Sequence, residues 1–423
     1  MKRAAAWISR NRAMTAAAGF WILFAANFNR FSLNYVDDPQ RVYNFLQRLF
    51  GDRHSPADAY QFGEAIGWIP FYLLGKLIAL SGIHSVGGKP FVAGVVALSG
   101  SVFALTACAV LVPLIKRLRL PHPTLILVLA FFGGPLWFYG SFAPGHTHAM
   151  ETTVIGAAVL LLYFELQTPK GSIWLELGMG VLLAFAMAIR YFLGPAAVAF
   201  ILGLAFYRRW RAAAVVTATP LVSLALLAVV AEVGAGGVLK GAAYKGSGSE
   251  TALNVLVLAP LNPFRMLFTQ HRGLLIWSPV TILAIVGFVR LMRHRPDQRP
   301  FLSICAFTAF MLTASYALAP YWDGGYASYN QRYLTALFPF VVLGLGGIVD
   351  WRPRLVVSLA VVCVAWTMAL GFYEGLSIAY LNRGVVQFPE GITHGRVTPG
   401  LLAYDLYHGS NIRGLIPDPY NDH

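Results

Sequence analysis

The sequence predicts an all-α polytopic membrane protein, and three observations carry that expectation. Hydrophobic residues make up 57% of the 423-residue chain and charged residues only 12%, against about 25% charged in soluble domains. The apolar residues gather into runs of about 20, the length that a helix needs to cross a bilayer. The basic residues that give the net charge of +14 sit in short clusters between those runs. Such clusters set topology and suit anionic lipid headgroups, so nucleic acid is not an expected partner.

The N-terminus carries Lys2, Arg3, Arg10 and Arg12 ahead of an apolar run from Ala13 to Phe31. No small-residue cleavage site follows, which predicts an uncleaved signal anchor with a cytoplasmic N-terminus. Further spans are expected at 90–115, 123–141, 150–166, 172–190, 192–207, 212–232, 273–292, 301–319, 334–350 and 354–374, about 11 in all. The run from Ile66 to Gly82 is also apolar enough to span, but counting it would invert every later loop. If it instead lies in the interface or re-enters, Lys116, Arg117, Arg119, Lys170, Arg208, Arg209, Arg211, Arg290, Arg293, Arg295, Arg299, Arg352 and Arg354 all fall on the cytoplasmic side. The positive-inside rule therefore favours an interfacial or re-entrant helix, and Pro70 and Lys76 within it agree.

A transmembrane domain is thus expected over 1–374, with an extracytoplasmic tail at 375–423. Its first external loop runs over about 32–89 and its second large one over about 233–272. Within the first loop Val42, Phe45, Leu46, Leu49 and Phe50 recur at helical spacing, opposite Gln40, Arg41, Asn44, Gln47 and Arg48. That pattern predicts an amphipathic helix in the interface. Cys108, Cys305 and Cys363 lie inside apolar runs without metal-ligand spacing and are expected to pack.

The residues able to do chemistry fall on the external side. Asp37 and Asp38 follow the first run in a chain with only 18 acidic residues. Asp38, before Pro39, suits a helix N-cap; Asp37 is then free to act as a general base. The pair is also able to hold a divalent metal through oxygen, although no further ligand set accompanies it. Arg190 ends an apolar run, where an arginine either snorkels to the interface or grips a phosphate. The turn from Tyr321 to Tyr333 carries Tyr321, Trp322, Asp323, Asn330, Gln331 and Arg332, which combine sugar-stacking faces, paired donors and acceptors, and a second phosphate candidate in Arg332. His146 and His148 sit at another external turn with Glu151 close behind. Loop histidines in this pattern are more often hydrogen-bonding groups than metal ligands.

In their order these signatures resemble the GT-C class of membrane glycosyltransferases, which includes protein O-mannosyltransferases and lipid A aminoarabinose transferases. The resemblance rests on Asp37-Asp38, on the stretch from Gly67 to Pro70 and beyond, on Pro144-Gly-His-Thr-His148, on Ala188-Ile-Arg190-Tyr191, on Gln270 to Pro279, and on Trp322-Asp-Gly-Gly with Gln331-Arg-Tyr-Leu334. It implies a GT-C-like bundle and transfer of a sugar, with inversion, from a polyprenyl-phosphate donor at the extracytoplasmic face of a plasma membrane, a bacterial inner membrane in particular. By the same resemblance Asp37 is the base, Asp38 its support, and Arg190 and Arg332 hold the donor phosphate. His146, His148, Tyr321, Trp322, Asp323, Asn330 and Gln331 are the candidates for contact with sugar or acceptor. The chain lacks the long C-terminal domain and WWD-like motif of oligosaccharyltransferases, so a lipid or polysaccharide acceptor is expected rather than a protein. A transporter or flippase of a lipid-linked sugar is the main alternative; an O-antigen-ligase-like enzyme and a structural membrane-assembly protein are the others.

Overall fold

The structure, a computed structural model, describes Trp21 and residues 37–51, 62–86, 89–235, 262–268, 273–317, 331–349, 351 and 353–381. It is almost entirely helical. Helix α1 (Asp37–Leu49) and α2 (Phe62–Ala79) lead to a two-stranded antiparallel ribbon, β1 (Ser85–Val86) with β2 (Lys89–Pro90). Then come α3 (Phe91–Ala97), α4 (Ser99–Arg117), α5 (Pro123–Gly133), α6 (Leu136–Tyr139), α7 (His148–Gln167) and α8 (Ile173–Ile189). They are followed by α9 (Gly194–Phe206), α10 (Trp210–Ala235), α11 (Asn262–Phe268), α12 (Leu274–Trp277), α13 (Val280–His294), α14 (Arg299–Ala317), α15 (Phe338–Val349) and α16 (Pro353–Leu381). Short 3-10 turns precede α9, α14 and α15.

Among the described residues, five helical segments are long and apolar enough to cross a membrane: Phe91–Arg117, His148–Gln167, Pro296–Ala317, Arg332–Val349 and Pro353–Phe372. Four more are apolar but shorter: Pro123–Gly133, Ile173–Ile189, Tyr191–Phe206 and Trp210–Leu226. The Phe62–Ala79 helix, expected to be interfacial or re-entrant, is not in the first set. Large apolar side chains point outward along these helices, among them Leu202, Leu221, Leu226, Phe310 and Val362. Soluble monomers rarely expose apolar surface on this scale, whereas hydrocarbon solvates it.

Two expected spans are broken, each at a proline. The run at 123–141 ends as α5 at Gly133 and resumes as α6 after Gly134 and Pro135. The run at 273–292 splits into α12 and α13 at Ser278 and Pro279. Proline has no N–H for the preceding turn and its ring blocks a continuous helix, but it is well placed where a new one starts. At the C-terminal side the last helix continues to Leu381, past the boundary expected at 374. Of the N-terminal run only Trp21 is described; it lies buried, edge-on to Phe131 with ring centres 5.0 Å apart.

Helices pack where small residues allow close approach, as membrane helices do without a hydrophobic drive between them. The tightest case is α13 on α15, where a Cβ on Gly287 would run into the Gly344 carbonyl and one on Gly347 into that of Gly287. Amphipathic α1 packs on α2 and buries Val42, Phe45 and Leu46 as the periodicity predicts, although Phe50 stays exposed and stacks on Tyr72 at 5.2 Å. Of the three cysteines, all free thiols, Cys305 is buried and Cys108 and Cys363 are half-buried among helices.

The turns between helices sort to two ends. At one end Arg295 donates to the Leu118 carbonyl (3.0 Å), Gln167 to Gln298 (3.1 Å), Arg209 to Pro169 O (2.8 Å) and Arg211 to Lys170 O (3.1 Å). Arg290 packs over the Trp351 ring at 5.4 Å. These bonds gather the basic clusters at 116–119, 170, 208–211 and 290–299 into one face. The α8–α9 pair is therefore a hairpin, with its open ends at this face and its bend at Arg190 at the other.

Candidate functional site

The end opposite the basic face holds a buried polar cluster, built from four places in the chain. The first is the turn leading into α7. Ser101 Oγ donates to the Gly140 carbonyl (2.6 Å), and a Cβ on Gly100 would collide with the Pro144 backbone, so this turn sits hard against α4. His146, Thr147 and His148 are thereby buried at the start of α7, with Glu151 one turn further in. The second place is the bend of the α8–α9 hairpin. Ile189 ends α8, Arg190 is extended (φ −155°, ψ 120°), and Tyr191–Leu193 turn the chain into α9, which Pro195 then opens. The bend turns the arginine inward, and it is 8% exposed rather than at an open interface. The third and fourth are the end of α14, with Tyr316, and the 3-10 turn Arg332–Leu337 ahead of α15.

These elements converge on Glu151. Thr147 Oγ1 donates to Glu151 Oε1 at 2.5 Å, Arg190 Nη2 donates to Thr147 Oγ1 at 3.0 Å, and Arg190 Nε lies 3.3 Å from the same carboxylate oxygen. The ion pair is buried on both sides and has its hydrogen bonds through Thr147, the condition under which such a pair is tolerated away from water. On the far side, Tyr333 is shared by two cations. Both Arg190 and Arg332 hold their guanidinium carbons 5.0 Å from its ring centre, and Arg332 Nη2 donates to its hydroxyl at 3.2 Å. Tyr316 stacks flat on Tyr333 at 5.1 Å. Thr335 Oγ1 donates to the Arg332 carbonyl at 2.6 Å and Thr152 Oγ1 to that of Thr335 at 3.1 Å, which ties the 3-10 turn to α7.

The histidines complete the cluster. Their rings lie 5.9 Å apart and nearly parallel, and Tyr139 packs edge-on to His148 at 4.6 Å. Burial holds His146 well below the usual histidine range, helped by the charge of Arg332, by His148 and by Arg190. It is therefore neutral at physiological pH. Among the described residues no group of three His, Cys, Asp or Glu gathers as a metal site. An apolar cavity of about 20 Å³ lies beside the 3-10 turn, lined by Leu274, Leu334, Thr335, Leu337 and Phe338 among others. It has room for a single water and is far too small for an isoprenoid chain.

The structure thus brings together four of the residues singled out from sequence, Arg190, Arg332, His146 and His148; Gln331 is fully buried where the 3-10 turn begins, directly before Arg332. Helix α1 begins at Asp37, so Asp38 falls in its first turn rather than capping it, and an acidic residue there suits the helix dipole. The side chains of Asp37 and Asp38 lie outside the described residues, as do Tyr321, Trp322, Asp323 and Asn330. Nothing in the sequence marks Thr147, Tyr139, Tyr316 or Tyr333 as a site residue, and Glu151 stands there only as a neighbour of the histidines. Its signal is an acidic residue just inside an apolar helix, where an unpaired charge is costly. The tyrosines carry no such signal, because interfacial aromatics are common in membrane proteins.

Comparisons with protein-family models, with curated proteins and with solved structures find no match to this chain.

Proposed function

We propose that this protein transfers a sugar, with inversion, from a polyprenyl-phosphate donor to a lipid or polysaccharide acceptor at the extracytoplasmic face of a membrane. The observation that carries the reading is the pair of buried guanidiniums, Arg190 and Arg332, each held 5.0 Å from the ring centre of Tyr333. Guanidiniums bind phosphate oxygens in fixed geometry and stabilise charge on a departing phosphate in a water-poor site. Tyr333, Tyr316 and Tyr139 supply aromatic faces of the kind that a sugar ring stacks on. Asp37 is assigned as the base that takes the acceptor hydroxyl proton, with Asp38 in support. His146, His148 and Gln331 line the phosphate site, and Tyr321, Trp322, Asp323 and Asn330, just ahead of Gln331 in sequence, are assigned to sugar or acceptor.

The position of the cluster also weighs against a transporter. A carrier holds its cargo near the bilayer midplane, whereas this cluster is formed by helix ends and turns. Its end is the one remote from the basic face, separated by the 20 residues of α7, or about 30 Å of helix.

The test is donor turnover in reconstituted membranes, with a panel of polyprenyl-phosphate sugars given to wild type and to Asp37→Asn. Wild type is expected to release polyprenyl phosphate from at least one donor and the variant to lose roughly 100-fold or more of that rate. Equal turnover by a folded, inserted Asp37→Asn would move the base away from this residue. Donor bound by wild type and carried across the bilayer without cleavage would establish transport instead.

A further inference from the structure

His148 is the unusual group in this cluster. It is fully buried, yet neither ring nitrogen has a hydrogen-bond partner among the described residues. Its Nδ1 lies 3.6 Å from Glu151 Oε2, just beyond hydrogen-bonding range. Glu151 Oε1 is engaged by Thr147 and faces Arg190, while Oε2 also lacks a hydrogen bond among the described residues. An unsatisfied imidazole beside an unsatisfied carboxylate oxygen is costly when buried. A small movement of the ring would let Nδ1–H donate to Oε2 and leave Nε2 for another partner.

The charges around the ring say what that partner is. The titratable and charged groups grouped with His148 are Tyr139 from α6, His146 from the preceding turn, Glu151 from α7, Arg190 from the hairpin bend, Tyr316 from α14, and Arg332 and Tyr333 from the 3-10 turn. Among these described groups, with tyrosines and histidines neutral, two guanidiniums against one carboxylate leave a single formal positive charge. That matches a phosphate diester, which carries one negative charge. It falls one short for a phosphate monoester, which carries close to two above its second pKa of about 6.

We propose that His148, oriented by Glu151, takes up one proton when a phosphate monoester is bound by Arg190 and Arg332. This rests on the phosphate reading of the two arginines and adds a proton to it. In sugar transfer the electron pair of the sugar–phosphate bond stays on the phosphate oxygen, so a diester becomes a monoester with a second negative charge. The acceptor hydroxyl, joined to the sugar carbon in the same step, releases one proton. That proton goes to Asp37; His148 takes a separate one from solvent while the dianion is bound, its Nδ1–H on Glu151 and its Nε2–H directed at the phosphate. Glu151 is a positioning residue in this scheme, and His148 discriminates product from donor by charge.

The experiment is titration calorimetry on the full chain in detergent or nanodiscs, at about pH 8, where the monoester is a dianion. The probes are geranyl phosphate, a monoester, and methyl geranyl phosphate, a diester; each is titrated in two buffers of different ionisation enthalpy. Wild type is expected to take up about one proton with geranyl phosphate and none with the diester. The fold of H148Q is read separately, from a cooperative melting transition in the same detergent. H148Q is expected to bind the diester as wild type does. It should bind the monoester roughly tenfold more weakly, the loss of one charge-assisted hydrogen bond, and without proton uptake. A measurement on wild type alone adds to this: the preference for monoester over diester should fall about tenfold for each pH unit above neutrality. Uptake that persists in H148Q, or that is missing in wild type, overturns the inference while leaving the phosphate site standing. Binding of neither probe by folded wild type removes the phosphate site itself, and the proposed function with it.

Discussion

Glu151 is the residue on which the polar cluster depends. It receives Thr147, faces the Arg190 guanidinium and sits beside His148, all of them buried. Replacing one member of a buried ion pair strands the other without compensation, at about 3–5 kcal/mol. Glu151→Gln is therefore expected to lower the melting temperature in detergent sharply, while Thr147→Val, which removes a neutral hydroxyl, should cost about 1–3 kcal/mol. Equal losses from the two would mean that the pair contributes no more than the hydroxyl. His146 gives a pH-dependent prediction. The folded protein holds this imidazole below its ordinary value of 6.5, first by burial and then by Arg332, His148 and Arg190. The unfolded chain takes up the proton near 6.5, so the unfolded state binds more protons between the two values. Stability is fully present above 6.5 and is lost as pH falls through that window, by about 1.4 kcal/mol for each unit crossed. His146→Gln should flatten the fall in melting temperature between about pH 7.5 and pH 5 relative to wild type; an unchanged slope would place the titrating group elsewhere.

At the scale of elements, proline and glycine decide where helices stop and how near they come. Pro135 and Pro279 cut two apolar runs into a short and a long piece, and Pro195 reopens the chain after Arg190. These prolines are plain in the sequence, yet hydropathy alone runs straight through them. The α13–α15 contact depends on glycine at a position where added atoms meet backbone, which cannot swing aside. Gly287→Ala is expected to destabilise by about 1–3 kcal/mol or more, since overpacking forces a backbone shift. Gly156→Ala is the control, because its nearest neighbour to a new Cβ is a proline carbon at 3.7 Å, an ordinary contact. If both variants melt together with wild type, the helices are not held at glycine distance. The amphipathic pattern of α1 was legible from Val42, Phe45 and Leu46, but Phe50 was not, because its partner is Tyr72 on a different helix.

For the whole molecule, the separation of a basic face from a buried cationic site gives a prediction about orientation. Clustered Lys and Arg are retained on the cytoplasmic side, so the face with Lys170 and Asp297 is expected there. The ribbon that joins α2 to α3 is expected outside. Single-cysteine variants Asp297→Cys and Ser81→Cys, probed in intact cells with a membrane-impermeant maleimide, read this directly. Ser81→Cys should label at once and Asp297→Cys only after permeabilisation. The reverse pattern would put the Arg190–Arg332 site on the cytoplasmic side and rule out an extracytoplasmic transfer.

Composition and spacing by themselves determined that the chain is a helical, apolar molecule whose cations gather between its helices. A run of about 20 apolar residues has few other stable forms in hydrocarbon, because each backbone N–H and C=O must find its partner within the segment. The same local reading picked out Arg190, Arg332, His146 and His148 as polar groups set next to apolar runs. What they do to one another was decided only by the tertiary structure. Thr147, Glu151 and Arg190 form one hydrogen-bonded unit because a hairpin bend meets the start of α7. Arg190 and Arg332 share Tyr333 across more than a hundred residues of chain for a similar reason. Pairing of buried charges is a property of three-dimensional distance and of exclusion from water. Neither quantity is written in local sequence, so the cluster appears only once the helix ends are brought together.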